Sequence, residues 1–160
     1  EAYAEFVAPA YRLDSVSLIE RFPNVVVLRT FSKAYGLAGL RIGYAYSSWE
    51  LAAKLWAMQL PFGMGITGLV AVEASYRAES QLQQRVRMIT AERRNLRMRL
   101  RALGVQCADV YLPGTGRRWN EVFDDEAAVR VKHYVDGGVR ITVGGRSSTG
   151  AVLNALRRKL

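Results

Sequence analysis

The sequence predicts an α/β fold. Val25, Val26, Val27 and Leu28 form an apolar, largely β-branched run of strand length, and Ile42, Tyr44 and Tyr46 alternate with Gly43 and Ala45 a little further on. Apolar residues recur at three- and four-residue steps through much of residues 48–103, the period of amphipathic helices. Strand-like runs return between residues 110 and 143 and are followed by a last helical stretch. A chain of 160 residues can bury one core or two small ones.

Taken in order, residues 15–22 read as a short helix with Ser15 or Ser17 as N-cap and Leu18, Ile19 and Phe22 on one face. Pro23 and Asn24 break it, and a fully buried strand is expected over 25–30. A glycine-bearing loop follows, then a second strand over 41–46. Ser48 is placed to cap a helix carrying Leu51, Leu55 and Met58, which Pro61-Phe62-Gly63 ends. Ile66, Leu69, Val70 and Val72 suggest a buried helix. Leu82, Val86, Ile89, Leu96, Leu100 and Leu103 mark a longer helix over 79–103, stopped by Gly104. The remainder reads as a compact α/β unit. It has strand-like runs at 110–112, 129–134 and 139–143, a helical stretch over 119–128, and a turn at Asp136-Gly137-Gly138. In the last helix Ser147, Ser148 or Thr149 is the expected cap, and Val152, Leu153, Leu156 and Leu160 share a face.

Half of the residues are apolar and 23% are charged, an ordinary balance for a globular chain. No apolar run is long enough to span a bilayer, so no membrane partner is expected. The single cysteine, Cys107, rules out an internal disulfide and suits a reducing, cytoplasmic location. With His133 as the only histidine, a histidine-rich metal site or a serine-type triad has little support. The net charge is +9, and seven arginines fall between Arg85 and Arg101 against one acid, Glu92. Such a stretch can attract nucleic acid, but it reads first as a solvated helix face. It lacks the interleaved aromatics on which single-strand binders stack bases, and no named nucleic-acid motif accompanies it.

The segment Thr30-Phe31-Ser32-Lys33-Ala34-Tyr35-Gly36-Leu37-Ala38-Gly39-Leu40-Arg41 carries the chemistry. Lys33 follows the first strand's C-terminal end, where open α/β sheets bind ligands. A lysine there can form a Schiff base, and Thr30, Ser32 and Arg41 can together hold a phosphate. On spacing alone it is equally a solvated surface lysine. The string itself resembles the cofactor-lysine segment of fold-type I, class I/II pyridoxal-phosphate aminotransferases. The likeness is nearest to the histidinol-phosphate and aromatic (phenylalanine) branch. The resemblance implies Lys33 as the Schiff-base lysine, Arg41 as the phosphate-binding arginine, and Thr30 and Ser32 as phosphate-side hydroxyls. Glu1-Ala2-Tyr3-Ala4-Glu5-Phe6 resembles the segment whose tyrosine bonds the cofactor's phenolic oxygen, a role that falls to Tyr3. Gly138-Val139-Arg140-Ile141-Thr142-Val143-Gly144 resembles the strand bearing the substrate-carboxylate arginine, here Arg140.

By this resemblance the chain corresponds to the C-terminal portion of a fold-type I aminotransferase. Residues 1–80 would be the end of the large cofactor domain, with a partial, mainly parallel sheet in which the second strand runs antiparallel. Residues 81–160 would be a linking helix and a small α/β domain. The cofactor implied is pyridoxal 5'-phosphate. The substrates implied are an amino acid or histidinol phosphate and a 2-oxo acid, and the complete protein would be a homodimer. The family's pyridinium-pairing aspartate, phosphate-loop glycine and ring-stacking residue have no counterpart in these residues. The isolated chain is therefore expected to be inactive, and a non-catalytic structural or interaction role is the alternative. Two stretches depart from the family pattern: Cys107-Ala108-Asp109-Val110, where an Asn-Phe pair is usual, and Arg146-Ser147-Ser148-Thr149-Gly150, where the last helix usually starts with acids.

Overall fold

The computed structural model describes residues 1–123 and 129–159. The chain divides into two compact units, Glu1–Val86 and Arg87–Leu160.

In the first unit, two short 3-10 turns lead into α1 (Ser15–Arg21). Its cap is neither serine expected: the Asp14 carboxylate accepts from the Ser17 amide (3.1 Å) and from the Ser17 hydroxyl (2.7 Å). Two oxygens let an aspartate take both donors at once, whereas a serine cap offers one. Ser15 turns inward instead, its hydroxyl 2.6 Å from the Tyr46 hydroxyl.

Strands β1 (Val26–Thr30) and β2 (Gly43–Ser47) pair antiparallel, with Thr30 opposite Gly43 and Val26 opposite Ser47. All strand pairs among the described residues are antiparallel. The fully buried β1 expected from its composition is not observed. Val27 is buried, but Leu28 is 63% exposed and Val26 is exposed beside it. Successive strand side chains point to opposite faces, and only the Val27 face is covered here. Helix α2 (Trp49–Ala57) follows, but the Ser48 side chain does not cap it; its hydroxyl donates to Pro23 O (2.8 Å). Helix α3 (Ile66–Arg77) was expected to be buried, yet Ile66, Leu69 and Val70 are exposed and Gly68 alone is buried. Apolar composition without cover on every side leaves such residues in solvent.

Helix α4 (Glu79–Ala102) contains the division between the units. It ends at Gly104 in the left-handed region (φ 69°), with the Val105 amide donating to Leu100 O (2.9 Å), the closure a glycine stop provides. In the second unit, β3 (Tyr111–Leu112), β5 (Val139–Arg140) and β4 (Lys132–His133) form a sheet in the order β3-β5-β4. Helix α5 (Trp119–Val122) and α6 (Arg146–Lys159) complete it. The strands are shorter than their apolar runs, and the expected helix over 119–128 lies beyond Phe123 partly outside the described residues, as does Leu160. Helix α6 starts earlier than expected, so Ser147, Ser148 and Thr149 lie inside its first turn rather than at its cap.

The two units differ in core. The second packs thirteen buried apolar residues, including Leu96, Leu100, Leu112, Trp119, Val139 and Leu156, into one cluster. In the first, Val27, Phe31, Ala34, Ile42 and Leu82 are the buried apolar side chains among the described residues.

Candidate active site

The Lys33 loop is a closed excursion between β1 and β2. The Phe31 amide donates to Ile42 O (3.1 Å), so the two ends meet directly beyond the last strand pair. Inside, Gly36 N donates to Lys33 O (3.0 Å) and Leu37 N to Phe31 O (2.9 Å). Gly36 adopts φ 75°, and the Arg85 guanidinium donates to Ala34 O (3.2 Å). A side chain at Gly36 would displace the flexible end of Arg85, 2.7 Å from the Cβ position, and it is the positive φ that favours glycine there.

Anchoring comes from alternate burial. Phe31 is 3% exposed and Ala34 is fully buried, so the intervening Ser32 and Lys33 are pushed towards the surface. The Phe31 ring contacts Tyr35 (centroids 4.8 Å), Tyr44 (5.9 Å) and Tyr76 (5.7 Å, edge-on). Burial raises the Tyr35 and Tyr44 phenols above their ordinary value; the Glu5 carboxylate adds to this at Tyr35, and the Arg29 charge only partly offsets it at Tyr44. Gly68 of α3 is held against Ile42: a Cβ there would lie 2.2 Å from Ile42 Cδ1.

Lys33 is exposed, and its Nζ lies over the Tyr3 ring, 5.6 Å from the centroid. It has no carboxylate partner among the described residues. Tyr3 is held near by its flanking acids: Glu1 and Glu5 each pair with Arg29 on β1 at 2.9 Å. Burial opposes the Arg29 charge, but the Glu5 hydrogen bond and the two carboxylates outweigh it and keep the guanidinium above its ordinary value.

Thr30 Oγ1 accepts from the Ser32 amide (3.1 Å) and donates to Ile42 O (3.4 Å), which ties the end of β1 to the loop. The Ser32 hydroxyl has no partner among the described residues. Arg41 sits in the left-handed region (φ 53°), unusual for a non-glycine residue, and its Nη1 donates to Ala38 O (2.9 Å). That backbone turn feeds the chain into β2 and leaves the remaining guanidinium donors unused. An unpaired amine, a spare hydroxyl and a guanidinium with free donors thus lie on one short loop.

Arg140 lies in the second unit, exposed on β5, directly opposite Tyr111 on one side and Lys132 on the other. Lys132 Nζ lies over the Tyr134 ring at 5.2 Å. Asp109, within the Cys107–Val110 stretch, has φ 57° and faces Arg97 (3.6 Å) and Arg93 (3.7 Å) of α4. Part of the arginine-rich stretch is therefore engaged within the chain.

Sequence reasoning passed over three supports of the loop. Phe31 stood in the motif as a spacer, although an apolar residue in a polar loop is itself a sign of anchoring. Arg85 was hidden among like residues. Gly68, in the first turn of α3, carried no signal of its own in the sequence; only its contact with Ile42 shows why it is small.

Comparison with known proteins agrees with the resemblance. The family pattern described as Aminotransferase class I and II matches residues 1–155. An aromatic amino acid aminotransferase of Mycobacterium tuberculosis is 40% identical over 165 aligned residues, covering 99% of this chain and 46% of the relative. A histidinol-phosphate aminotransferase of Thermococcus gammatolerans is 36% identical, covering 98% and 45%. A solved putative aminotransferase from Burkholderia pseudomallei superposes with a TM-score of 0.82 at 26% identity over 99% of this chain and 50% of that one. The histidinol-phosphate aminotransferase of Sinorhizobium meliloti, solved in complex with pyridoxal-5'-phosphate, gives 0.81 at 24% identity over 100% and 48%, a likeness of fold. The chain thus spans about half the length of the curated relatives it matches. It belongs to the aminotransferase class I and II family.

Proposed function

We propose that this chain supplies the lysine-bearing part of a pyridoxal-phosphate transaminase site, acting between an amino acid or histidinol phosphate and a 2-oxo acid. The observation that carries the reading is the Lys33 amine, unpaired over the Tyr3 ring at the end of β1, on a loop that also offers Ser32 and Arg41. Pyridoxal phosphate, when bound, supplies an aldehyde for the amine exchange and a ring that stabilises negative charge at the substrate's α-carbon.

This chain's residues divide the work. Arg41 and the Thr30 and Ser32 hydroxyls would hold the phosphate, and Tyr3 would donate to the ring's phenolic oxygen. Lys33 Nζ would hold the aldehyde until the substrate's own amine displaces it, and the freed amine would then take the α-proton as base and return it as acid. Arg140, exposed on β5, takes the substrate carboxylate; its planar fork suits two oxygens. Lys132 opposite adds a second cation to that strand pair and favours an anionic substrate. A homodimeric assembly draws support from Trp56, Met58, Leu60, Phe62 and Ile66, all exposed apolar side chains in one stretch of the first unit.

Lys33, Lys54, Lys132 and Lys159 are the chain's four lysines, which makes the test clean. The chain is incubated with pyridoxal phosphate, reduced with borohydride, digested and mapped by mass spectrometry. Lys33 is expected to carry most of the label. Replacing pyridoxal phosphate with pyridoxal, or Arg41 with glutamine, should remove that preference. Label spread evenly over the four lysines would refute the assignment.

A further inference from the structure

The positive charge of this chain is not shared evenly between its units. Residues 87–160 carry fifteen lysines and arginines against seven acids, whereas residues 1–86 carry eight against seven. A surplus of that size on one small unit attracts negative partners.

Much of the surplus lies on α4, whose arginines fall into two groups. Arg85 donates to Ala34 O, Arg93 and Arg97 face Asp109, and Arg99 donates to Asn95. Arg87, Arg94 and Arg101 are exposed and have no hydrogen bond or ion pair among the described residues. These three follow one another at seven-residue steps, so they line up along the helix with about 10.5 Å of rise between them. Ala91 and Met98 stand on the same line, each four residues beyond an arginine, and both are exposed. Leu96 and Leu100, which α4 buries in the core, lie on the opposite side of the helix, so the stripe is its outward face. Glu92, the one acid among residues 87–102, is also on that opposite side and accepts from Asn95 Nδ2 (3.2 Å). Nothing within the helix neutralises the stripe.

Its composition selects among anions. A phosphate backbone asks for charge alone and has no use for Met98, 62% exposed between two of the arginines. Bases ask for aromatic rings, and α4 has none. Arginine and methionine without lysine is the composition enriched where proteins meet. The spacing agrees, because a helix laid lengthwise against another repeats its contacts every seven residues.

We propose that this face of α4 docks an acidic amphipathic helix of a partner protein, whose carboxylates at seven-residue steps pair with Arg87, Arg94 and Arg101 and whose apolar side chains cover Met98. Each guanidinium fork can take both oxygens of one carboxylate, and Ala91 leaves room for close approach. The surface lies wholly in the second unit and does not depend on Lys33.

The test is a titration of the intact chain with a helix-stabilised synthetic peptide of three heptads, carrying glutamate and leucine on one face. Fluorescence anisotropy and the amide NMR shifts of residues 87–101 are the readouts. Saturable binding is expected, and a peptide of the same composition with its glutamates scattered round the helix should bind more weakly. Arg87→Gln/Arg94→Gln/Arg101→Gln should weaken binding roughly tenfold. Arg117→Gln/Arg157→Gln/Arg158→Gln removes the same charge from other exposed positions of the unit and should leave it unchanged. Met98→Ala should lose roughly threefold, a loss that stays measurable if the triple variant does not fold. Absence of saturation overturns the proposal. So does equal binding of the scattered peptide, an equal loss in the control variant, or an unchanged affinity in Met98→Ala. Tighter binding of duplex RNA, or of phosphatidylserine vesicles, than of the peptide at the same salt would make the partner a phosphate surface and overturn it as well.

Discussion

Removing the Phe31 ring tests whether the lysine loop is held by its aromatic anchor. The ring is almost wholly out of water and meets three tyrosines. Burying a phenylalanine side chain contributes about 2–3 kcal/mol, and truncation to alanine adds the cost of the cavity, so Phe31→Ala should cost about 3–5 kcal/mol. A unit of 86 residues has about 4–13 kcal/mol to lose at the usual stability per residue. The first unit, with few other buried apolar groups, should therefore come close to unfolding, while the second keeps its own cluster. Phe31→Leu, which refills most of the space, should cost about 1.5 kcal/mol or less. Urea unfolding followed by peptide-resolved hydrogen exchange separates the units: protection over residues 26–47 should collapse and that over 96–122 should persist. In Phe31→Ala, borohydride-trapped label should also lose its preference for Lys33. A midpoint corresponding to less than about 1 kcal/mol of loss, well under the cost of a buried aromatic truncation, would show that the ring is not the anchor.

Arg41→Gly should separate stability from function. It relieves a left-handed arginine and should raise stability by about 1 kcal/mol in a thermal melt, while removing the preference for phosphorylated over unphosphorylated pyridoxal. Asp136 should titrate below the ordinary carboxylate range, because the Tyr111 hydroxyl and then the Gly138 amide (2.9 Å) donate to its charged form. A carboxyl depressed in the fold adds stability above its unfolded pKa and loses it as pH falls through the folded one. The turn at 134–138 should therefore loosen in acid below about pH 4, followed by the backbone amide shifts of residues 134–138, and Asp136→Asn should abolish that dependence.

Much of this protein was legible in local chemistry. The β-branched run became β1, the alternating segment became β2, Gly104 stopped α4, and Asp136-Gly137-Gly138 made its turn with Gly137 at φ 77°. Each depends on neighbours within a few residues, so sequence spacing carries the information. Local reading failed where two candidates compete for one donor set, as at Asp14 against Ser15 and Ser17, and at Ser48, whose hydroxyl found Pro23 instead of the helix.

By itself the sequence determined the element order and the lysine loop with its flanking hydroxyls and arginine, and through a resemblance the family. The tertiary structure alone decided which apolar faces are covered, leaving Leu28, Phe62 and Ile66 exposed while sealing Phe31 and Ala34. It alone set Lys33 over Tyr3. The physical reason is range. Propensity and capping act over one or two turns of chain, whereas burial and charge pairing depend on residues that meet only when distant segments pack.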